Sequence, residues 1–324
     1  MTQPLTLITD CDLPGDAAER TLRSAGISAV RATDTSDDAL AALGADAEAL
    51  LVQWRRIDGA LMDRMPRLRV ISRLGIGYDM IDVAAATERG IAVANTPGYC
   101  IEEVAAHTVA MIMAQGRGLP AYDQALRAGV WKPVDARPFA VRPSRTTVSV
   151  LGFGRIGSLV ARGLRGLGFR VLVADPYATA EAIRQADCEP VSLDDAISAA
   201  DILTLHVPLT EETRHLLDAA ALARMKRGAV VVNTCRGALI DEAALVDALM
   251  SGQVGAAALD VFETEPLGAD SPLRVAPHVL LTPHAAWYSP EALEDLPVHA
   301  ADNVVRFLAG DDVPAIVNRA YATR

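Results

Sequence analysis

The sequence is short of aromatic residues, paired cysteines, basic charge and long apolar runs, and each shortage excludes something. Phe, Trp and Tyr make up 4% of the 324 residues while hydrophobic residues make up 51%, so the cores must be built of Ala, Val, Leu and Ile. The four cysteines, Cys11, Cys100, Cys188 and Cys235, form no Cys-x-x-Cys pair. They offer neither a disulfide framework nor a zinc site, and no metal is expected. No apolar stretch reaches the roughly 18 residues a membrane span needs. The chain runs at once into Leu5-Thr6-Leu7-Ile8-Thr9 without a signal peptide's basic start. The expectation is a cytoplasmic protein with no membrane partner. Lys and Arg number 30 against 41 Asp and Glu, a formal charge of −11, which argues against nucleic acid because phosphate binding needs basic patches. A small anionic substrate stays open, since the local field of a cleft can oppose the net charge. Neither solenoid repeats nor low-complexity tracts occur.

The length suits two domains. Over residues 1–98, strand-like runs at 5–9, 28–32, 49–53, 69–72 and 91–94 alternate with helical stretches, the pattern of a parallel sheet covered by helices. A long helix is expected over 101–117. The Pro-, Gly- and Arg-rich stretch that follows reads as irregular and as an arm, about 119–145, that packs on a partner subunit; a flexible surface loop is the alternative. A second α/β domain, 99–289, has strand candidates at 147–151, 170–174, 201–206, 229–233, 255–261 and 279–282, six strands that match a doubly wound fold. The last stretch, 290–324, starts with an amphipathic helix pattern to 308 and is expected to return to the first domain.

The run Thr147-Val148-Ser149-Val150-Leu151 enters Gly152-Phe153-Gly154-Arg155-Ile156-Gly157, and a helical pattern follows. In such a Gly-x-Gly-x-x-Gly turn Gly152 makes the tight bend, Gly154 lets backbone approach a pyrophosphate, and Gly157 lets helix pack on strand. The helix directs its free N–H groups and positive dipole end at the phosphates. Alone the pattern is weak. Here the next strand ends in Asp175, 18 positions beyond Gly157, where an acid should meet a ribose 2′-hydroxyl of NAD.

Ligands of open α/β sheets bind beyond the carboxyl ends of the strands, so reactive residues should follow strands. The fourth strand of the second domain is followed by Thr234-Cys235-Arg236-Gly237, the fifth by Phe262-Glu263-Thr264-Glu265-Pro266, and the sixth by Pro283-His284. Reduction of a 2-oxo acid needs a cation to hold the carboxylate and polarise the ketone, a task for the planar fork of Arg236. It needs a proton donor for the forming alkoxide, for which His284 is the candidate because histidine ordinarily titrates near neutrality. A carboxylate beside the imidazole, Glu265, would favour its protonated form and fix its tautomer. Singly, Arg236 could be a solvated helix-start residue and Glu265 a turn cap; it is their joint placement that favours chemistry.

With these motifs the sequence resembles, nearly end to end, the NAD-dependent D-2-hydroxyacid dehydrogenases. The likeness rests on the glycine turn, His206-Val207-Pro208-Leu209-Thr210, Asn233-Thr234-Cys235-Arg236-Gly237, Ala258-Leu259-Asp260-Val261-Phe262-Glu263-Thr264-Glu265-Pro266 and Thr282-Pro283-His284. The resemblance implies two doubly wound parallel-sheet domains, a Rossmann cofactor domain and a flavodoxin-like substrate domain formed by both chain ends. It also implies a hinged cleft between them and a homodimer through the arm. It implies that Arg155, Ile156, Asp175, Val207, Pro208, Thr213, Thr234, Cys235 and Asp260 line the cofactor site. Leu74-Gly75-Ile76-Gly77-Tyr78-Asp79 looks like the family's substrate-carboxylate loop, so Gly75, Ile76 and Gly77 should present amides to the substrate. Gln53 is expected near the ligand.

Departures narrow the reading. Met80 stands where Asn is common, and Cys235 replaces a smaller residue. Pro283-His284-Ala285-Ala286-Trp287-Tyr288-Ser289 looks like the branch near the C-terminal-binding proteins, with Trp287 facing the substrate side chain or else buried at the domain boundary. An acidic Glu265, not a glutamine, argues against formate. Gln53 and Trp54 in place of cations, and a chain with no room for a regulatory domain, argue against phosphoglycerate. The lack of a basic residue in Gly75–Gly77 argues against phosphite. Glyoxylate, hydroxypyruvate or an aliphatic or aromatic keto acid is expected. The rival is an NAD(H)-sensing scaffold or co-repressor-like protein.

Overall fold

A computed structural model describes residues 3–133 and 140–323. The expected arm at 119–145 thus lies partly outside the described residues, at 134–139, as do the terminal residues 1, 2 and 324 of the expected first domain. The chain divides into two compact units, Met1–Cys100 with Tyr288–Arg324, and Ile101–Trp287.

The first unit holds β1 (Leu5–Ile8), β2 (Ser28–Arg31), β3 (Ala49–Val52), β4 (Val70–Arg73) and β5 (Ala92–Ala94). They form one parallel sheet in the order β2-β1-β3-β4-β5, the flavodoxin-like order. Every residue of β3 and β4 is buried, as strands covered on both faces require. The helix Pro290–Ala309 starts where Ser289 Oγ accepts from the Ala292 amide at 2.9 Å and stops at Gly310, φ +85°. It packs on β4 and on the helix Ala17–Ser24. Ser72 Oγ donates to Ala300 O at 2.8 Å and Asn303 Nδ2 to Asn95 O at 2.9 Å, so the C-terminal segment is tied to this sheet.

The second unit holds β6 (Thr147–Leu151), β7 (Arg170–Ala174), β8 (Glu189–Pro190), β9 (Ile202–Leu205), β10 (Ala229–Asn233), β11 (Val254–Leu259) and β12 (Val279–Leu281). The order is β12-β11-β10-β9-β6-β7-β8, all parallel. This is a seven-stranded sheet rather than the six strands read from sequence. The strand missed is β8, two residues paired at Leu172↔Glu189 and Val173↔Pro190; it is too short and polar to show a period, and its proline suits an edge. The order reverses between β6 and β9, the switch point at which such sheets bind ligands. One face is packed by Val148, Val150, Ile202, Val230 and Val232, the other by Leu203, Leu205, Val231 and Leu259. Phe169 is the one aromatic among the largest fully buried side chains, so aliphatic packing carries the core.

A second correction concerns the arm. Where an irregular segment was expected, Leu119–Arg127 is helical. Gly118 at φ +69° breaks it from the helix Ile101–Arg117, and Pro120 sits in its first turn. The sequence Ala-Tyr-Asp-Gln-Ala-Leu-Arg is a competent helix former. This helix buries no residue, which is why an apolar period did not reveal it.

Candidate active site

The loops that follow β6, β7, β9, β10, β11 and β12 all lie at the carboxyl edge of the second sheet. β6 ends at Leu151, and Gly152 turns at φ +97°. A Cβ there would lie 2.4 Å from His206 O, and one at Gly157 would lie 2.2 Å from Gly152 O. Both positions therefore exclude any side chain. At Gly154 a Cβ would meet nothing within 4 Å, so open space lies over the start of the twelve-residue helix Arg155–Gly166. That space and the helix's free amides fit a pyrophosphate. Arg155 and Ile156 open this helix, with Arg155 exposed and Ile156 half-buried. Asp175 follows β7; its carboxylate accepts from the amides of Phe153 at 2.6 Å, Tyr177 at 2.7 Å and Ala178 at 2.9 Å, which fixes an anion where a ribose would sit.

Across the switch point, β9 runs into His206, Val207 and Pro208. Burial of the His206 imidazole pushes its pKa down to about 4, and Nε2 lies 3.1 Å from Thr204 Oγ1. Thr213 closes the next turn by donating to Pro208 O at 2.7 Å. Cys235 Sγ donates to Val207 O at 2.9 Å. The thiol thus ties two strand-end loops together.

Arg236 follows β10 on a loop shaped by Asn233, whose Nδ2 donates to Arg236 O at 2.7 Å and whose Oδ1 accepts from the Cys235 amide at 3.0 Å. The half-buried guanidinium donates from Nη1 to Cys235 O at 2.7 Å. Gly237 is obligatory, because a Cβ would fall 1.8 Å from the Phe262 carbonyl carbon. Beyond β11, Glu265 Oε1 accepts from the Phe262 amide at 2.9 Å, and Oε2 lies 2.7 Å from His284 Nδ1. Burial alone would raise the Glu265 pKa. The hydrogen bond and charge of His284, the Phe262 amide and the charge of Arg236 outweigh it and hold the carboxyl below its ordinary value. The three residues expected to do chemistry are therefore electrostatically coupled.

Asp260, Gln53 and Thr234, all expected at ligand sites, are engaged with protein partners in this structure. Asp260, expected to line the cofactor site, is 0% exposed. Its carboxylate accepts from Thr282 Oγ1 at 2.5 Å and from the amides of Ala285 at 2.8 Å and Ala286 at 2.9 Å, and its carbonyl accepts from the His284 amide at 2.8 Å. Its task is to hold the loop of His284, whose φ of +50° a side chain rarely adopts. Gln53, expected near the ligand, is buried, and its amide is engaged at both ends with Asp12. Thr234 is likewise buried, its hydroxyl 2.7 Å from that of Thr108. Trp287 is half-buried and ends the second unit.

In the first unit Gly75 turns at φ +143° beyond β4. Its amide donates to Thr96 Oγ1 at 2.7 Å, while Ile76 O accepts from Asn95 Nδ2 at 2.7 Å. A Cβ at Gly75 would lie 1.0 Å from Arg73 Nη1. The loop Gly75–Gly77 holds no cation of its own, but the buried Arg73 lies directly against it; its signal in the sequence is an arginine immediately after a short strand-like run. His107 and Thr108, which bond to the His284 and Arg236 loops, were also passed over. Among the described residues no group of three His, Cys, Asp or Glu is placed to hold a metal ion, and no helix is long and apolar enough to cross a membrane.

Residues 109–286 match the family described as D-isomer specific 2-hydroxyacid dehydrogenase, NAD binding domain. The chain is 40% identical over 326 residues to D-3-phosphoglycerate dehydrogenase of Mycobacterium tuberculosis, which covers 98% of this chain and 59% of the relative. It is 41% identical over 269 residues to glyoxylate reductase of Aeropyrum pernix, covering 82% of this chain and 80% of the relative. The chain thus spans 59% of the length of the mycobacterial relative. The fold is similar to D-lactate dehydrogenase from Aquifex aeolicus complexed with NAD and lactic acid, with a TM-score of 0.84 and 28% identity over 95% of this chain and 96% of that one.

Proposed function

Because the chain belongs to the D-isomer specific 2-hydroxyacid dehydrogenase family, we propose that it reduces a small 2-oxo acid to the D-2-hydroxy acid with NADH, and catalyses the reverse. The observation that carries this reading is the His284–Glu265 contact of 2.7 Å under the charge of Arg236. Gly152, Gly154 and Gly157 and the helix they open would take the pyrophosphate, Asp175 the ribose, and the turn of Val207, Pro208 and Thr213 with Thr234 and Cys235 the rest of the cofactor. When bound, the nicotinamide supplies the hydride.

The side chains supply binding and a proton. Arg236 grips the substrate carboxylate through its fork and draws charge onto the ketone oxygen. Glu265 occupies Nδ1 of His284, which leaves Nε2 to give its proton to the oxygen formed at C2. In oxidation the neutral imidazole takes that proton back. Ile76 and Gly77 are the backbone we assign to carboxylate recognition in the first unit, while Gly75, whose amide is given to Thr96, shapes the turn, with Arg73 as a permanent charge against it.

Relatives named phosphoglycerate dehydrogenase and glyoxylate reductase are equally similar, so local residues decide the substrate. At the carboxyl edge of the first sheet Gln53 and the indole Nε1 of Trp54 both bond to Asp12, and Asp10 accepts from the amides of Gln53, Trp54 and Arg55. Two carboxylates there disfavour a phosphorylated tail, and glyoxylate, hydroxypyruvate or an apolar keto acid fits better. Trp287 is retained as a side-chain contact. The likeness to C-terminal-binding proteins rests on Pro283–Ser289 alone, and the relatives named above give it no support. A second copy of the chain is the partner we infer. The helix Leu119–Arg127 leaves Leu119 and Leu126 more than half exposed, with Trp131 exposed beyond it, and the mass in solution tests this.

The experiment is NADH oxidation followed at 340 nm against glyoxylate, hydroxypyruvate, 4-methyl-2-oxopentanoate, phenylpyruvate and phosphohydroxypyruvate. Turnover of an unphosphorylated acid supports the reading. Tight NADH binding with every acid inert would support a cofactor-sensing scaffold instead.

A further inference from the structure

The helix Ile101–Arg117 packs Ala105, Met111 and Ile112 into the core under the second sheet. Two consecutive polar residues on it do something more specific. Thr108 Oγ1 donates to Val104 O at 2.7 Å, so the hydroxyl contact of 2.7 Å with Thr234 has Thr234 as the donor. Thr234 begins the loop that carries Arg236. His107 Nε2 lies 3.2 Å from Thr282 Oγ1, and that hydroxyl is committed as a donor to Asp260 Oδ1 at 2.5 Å. His107 must therefore be the donor, with its proton on Nε2. Thr282 begins the loop that carries His284.

We propose that His107 and Thr108 are positioning residues that set the spacing between the Arg236 and His284 loops. The proposal rests on the catalytic reading above. One turn of one helix grips both loops, so the guanidinium and imidazole cannot drift apart without breaking one of the two bonds. The His107 branch continues inward. Thr282, Ala285 and Ala286 all donate to the fully buried Asp260, and this network holds His284 at φ +50°. A donor on Thr282 from outside keeps its hydroxyl aimed at Asp260. Groups placed through a second layer of hydrogen bonds lose activity when that layer is removed, because small misplacements are costly in the transition state.

The test uses His107→Phe and Thr108→Val, which remove the polar atoms at similar volume, and His107→Gln and Thr108→Ser, which restore a donor and an acceptor. With NADH and glyoxylate, or whichever acid the wild type turns over, kcat should fall about 10- to 100-fold in the first pair. KM for NADH should stay within about two-fold in His107→Phe, since Thr282 is not among the residues assigned to the cofactor. The Gln and Ser variants should recover most of the loss. Hydrogen exchange supplies a readout independent of turnover: the Ala285 and Ala286 amides should lose protection in His107→Phe while β10 and β11 keep theirs. If kcat is unchanged in the Phe and Val variants, if the loss appears in KM, or if Gln and Ser fail to rescue it, the proposal is wrong. Should the wild type reduce no 2-oxo acid, the catalytic reading fails on its own. Unaltered exchange at Ala285 and Ala286 would then overturn the positioning role separately.

Discussion

His284 Nδ1 lies 2.7 Å from Glu265 Oε2, across the ends of two neighbouring strands. A carboxylate held below its ordinary pKa beside an imidazole stabilises the imidazolium. His284→Ala should therefore lower kcat about 100-fold or more, the usual size of an acid–base contribution. Glu265→Gln should also lower kcat, because Nδ1 of His284 loses the carboxylate that leaves Nε2 to serve the substrate. Unchanged turnover in Glu265→Gln would separate the two residues mechanistically.

Arg236 is asked for a planar grip as well as a charge. Arg236→Lys should raise KM for the oxo acid and reduce kcat/KM by about 100-fold, since a point charge cannot form two parallel hydrogen bonds. Wild-type kinetics would assign carboxylate binding to another group.

Asp175 is fixed by three backbone amides at the end of β7, and a 2′-phosphate would meet its charge. NADH should exceed NADPH in kcat/KM by about 100-fold, the scale of a like-charge contact. Asp175→Asn, which keeps the acceptor and removes the charge, should narrow that ratio. Equal use of both cofactors by the wild type would contradict the assignment.

His206 makes stability depend on pH. Its folded pKa of about 4 lies below the ordinary 6.5. Between those values the unfolded chain takes up a proton that the folded chain refuses. Stability should thus fall as pH drops through this window, by about 2 kcal/mol between pH 7 and pH 5 from this group. Urea midpoints at the two pH values should differ less in His206→Gln than in the wild type.

Much of this could be read from residues because the strands are short, apolar and punctuated by glycine. The bounds of the helix Ile101–Arg117 and of β6, β7 and β10 follow from periodicity and flanking turns. What escaped notice lacked such a signal. β8 is a two-residue pairing and Leu119–Arg127 has no buried face. The side-chain network was hidden for a different reason. That Asp260 serves the His284 loop, and Gln53 serves Asp12, depends on which partners lie across the sheet edge, and no local spacing encodes that.

The central claim is direct hydride transfer to C2 with a D outcome. Reduction of hydroxypyruvate, or of whichever prochiral acid in the panel proves active, with NADH carrying deuterium at the transferable C4 position measures this most directly. Proton NMR and chiral analysis of the product should show deuterium at C2 and the D configuration. Deuterium lost to solvent, an L product, or bound NADH that never reacts would contradict it.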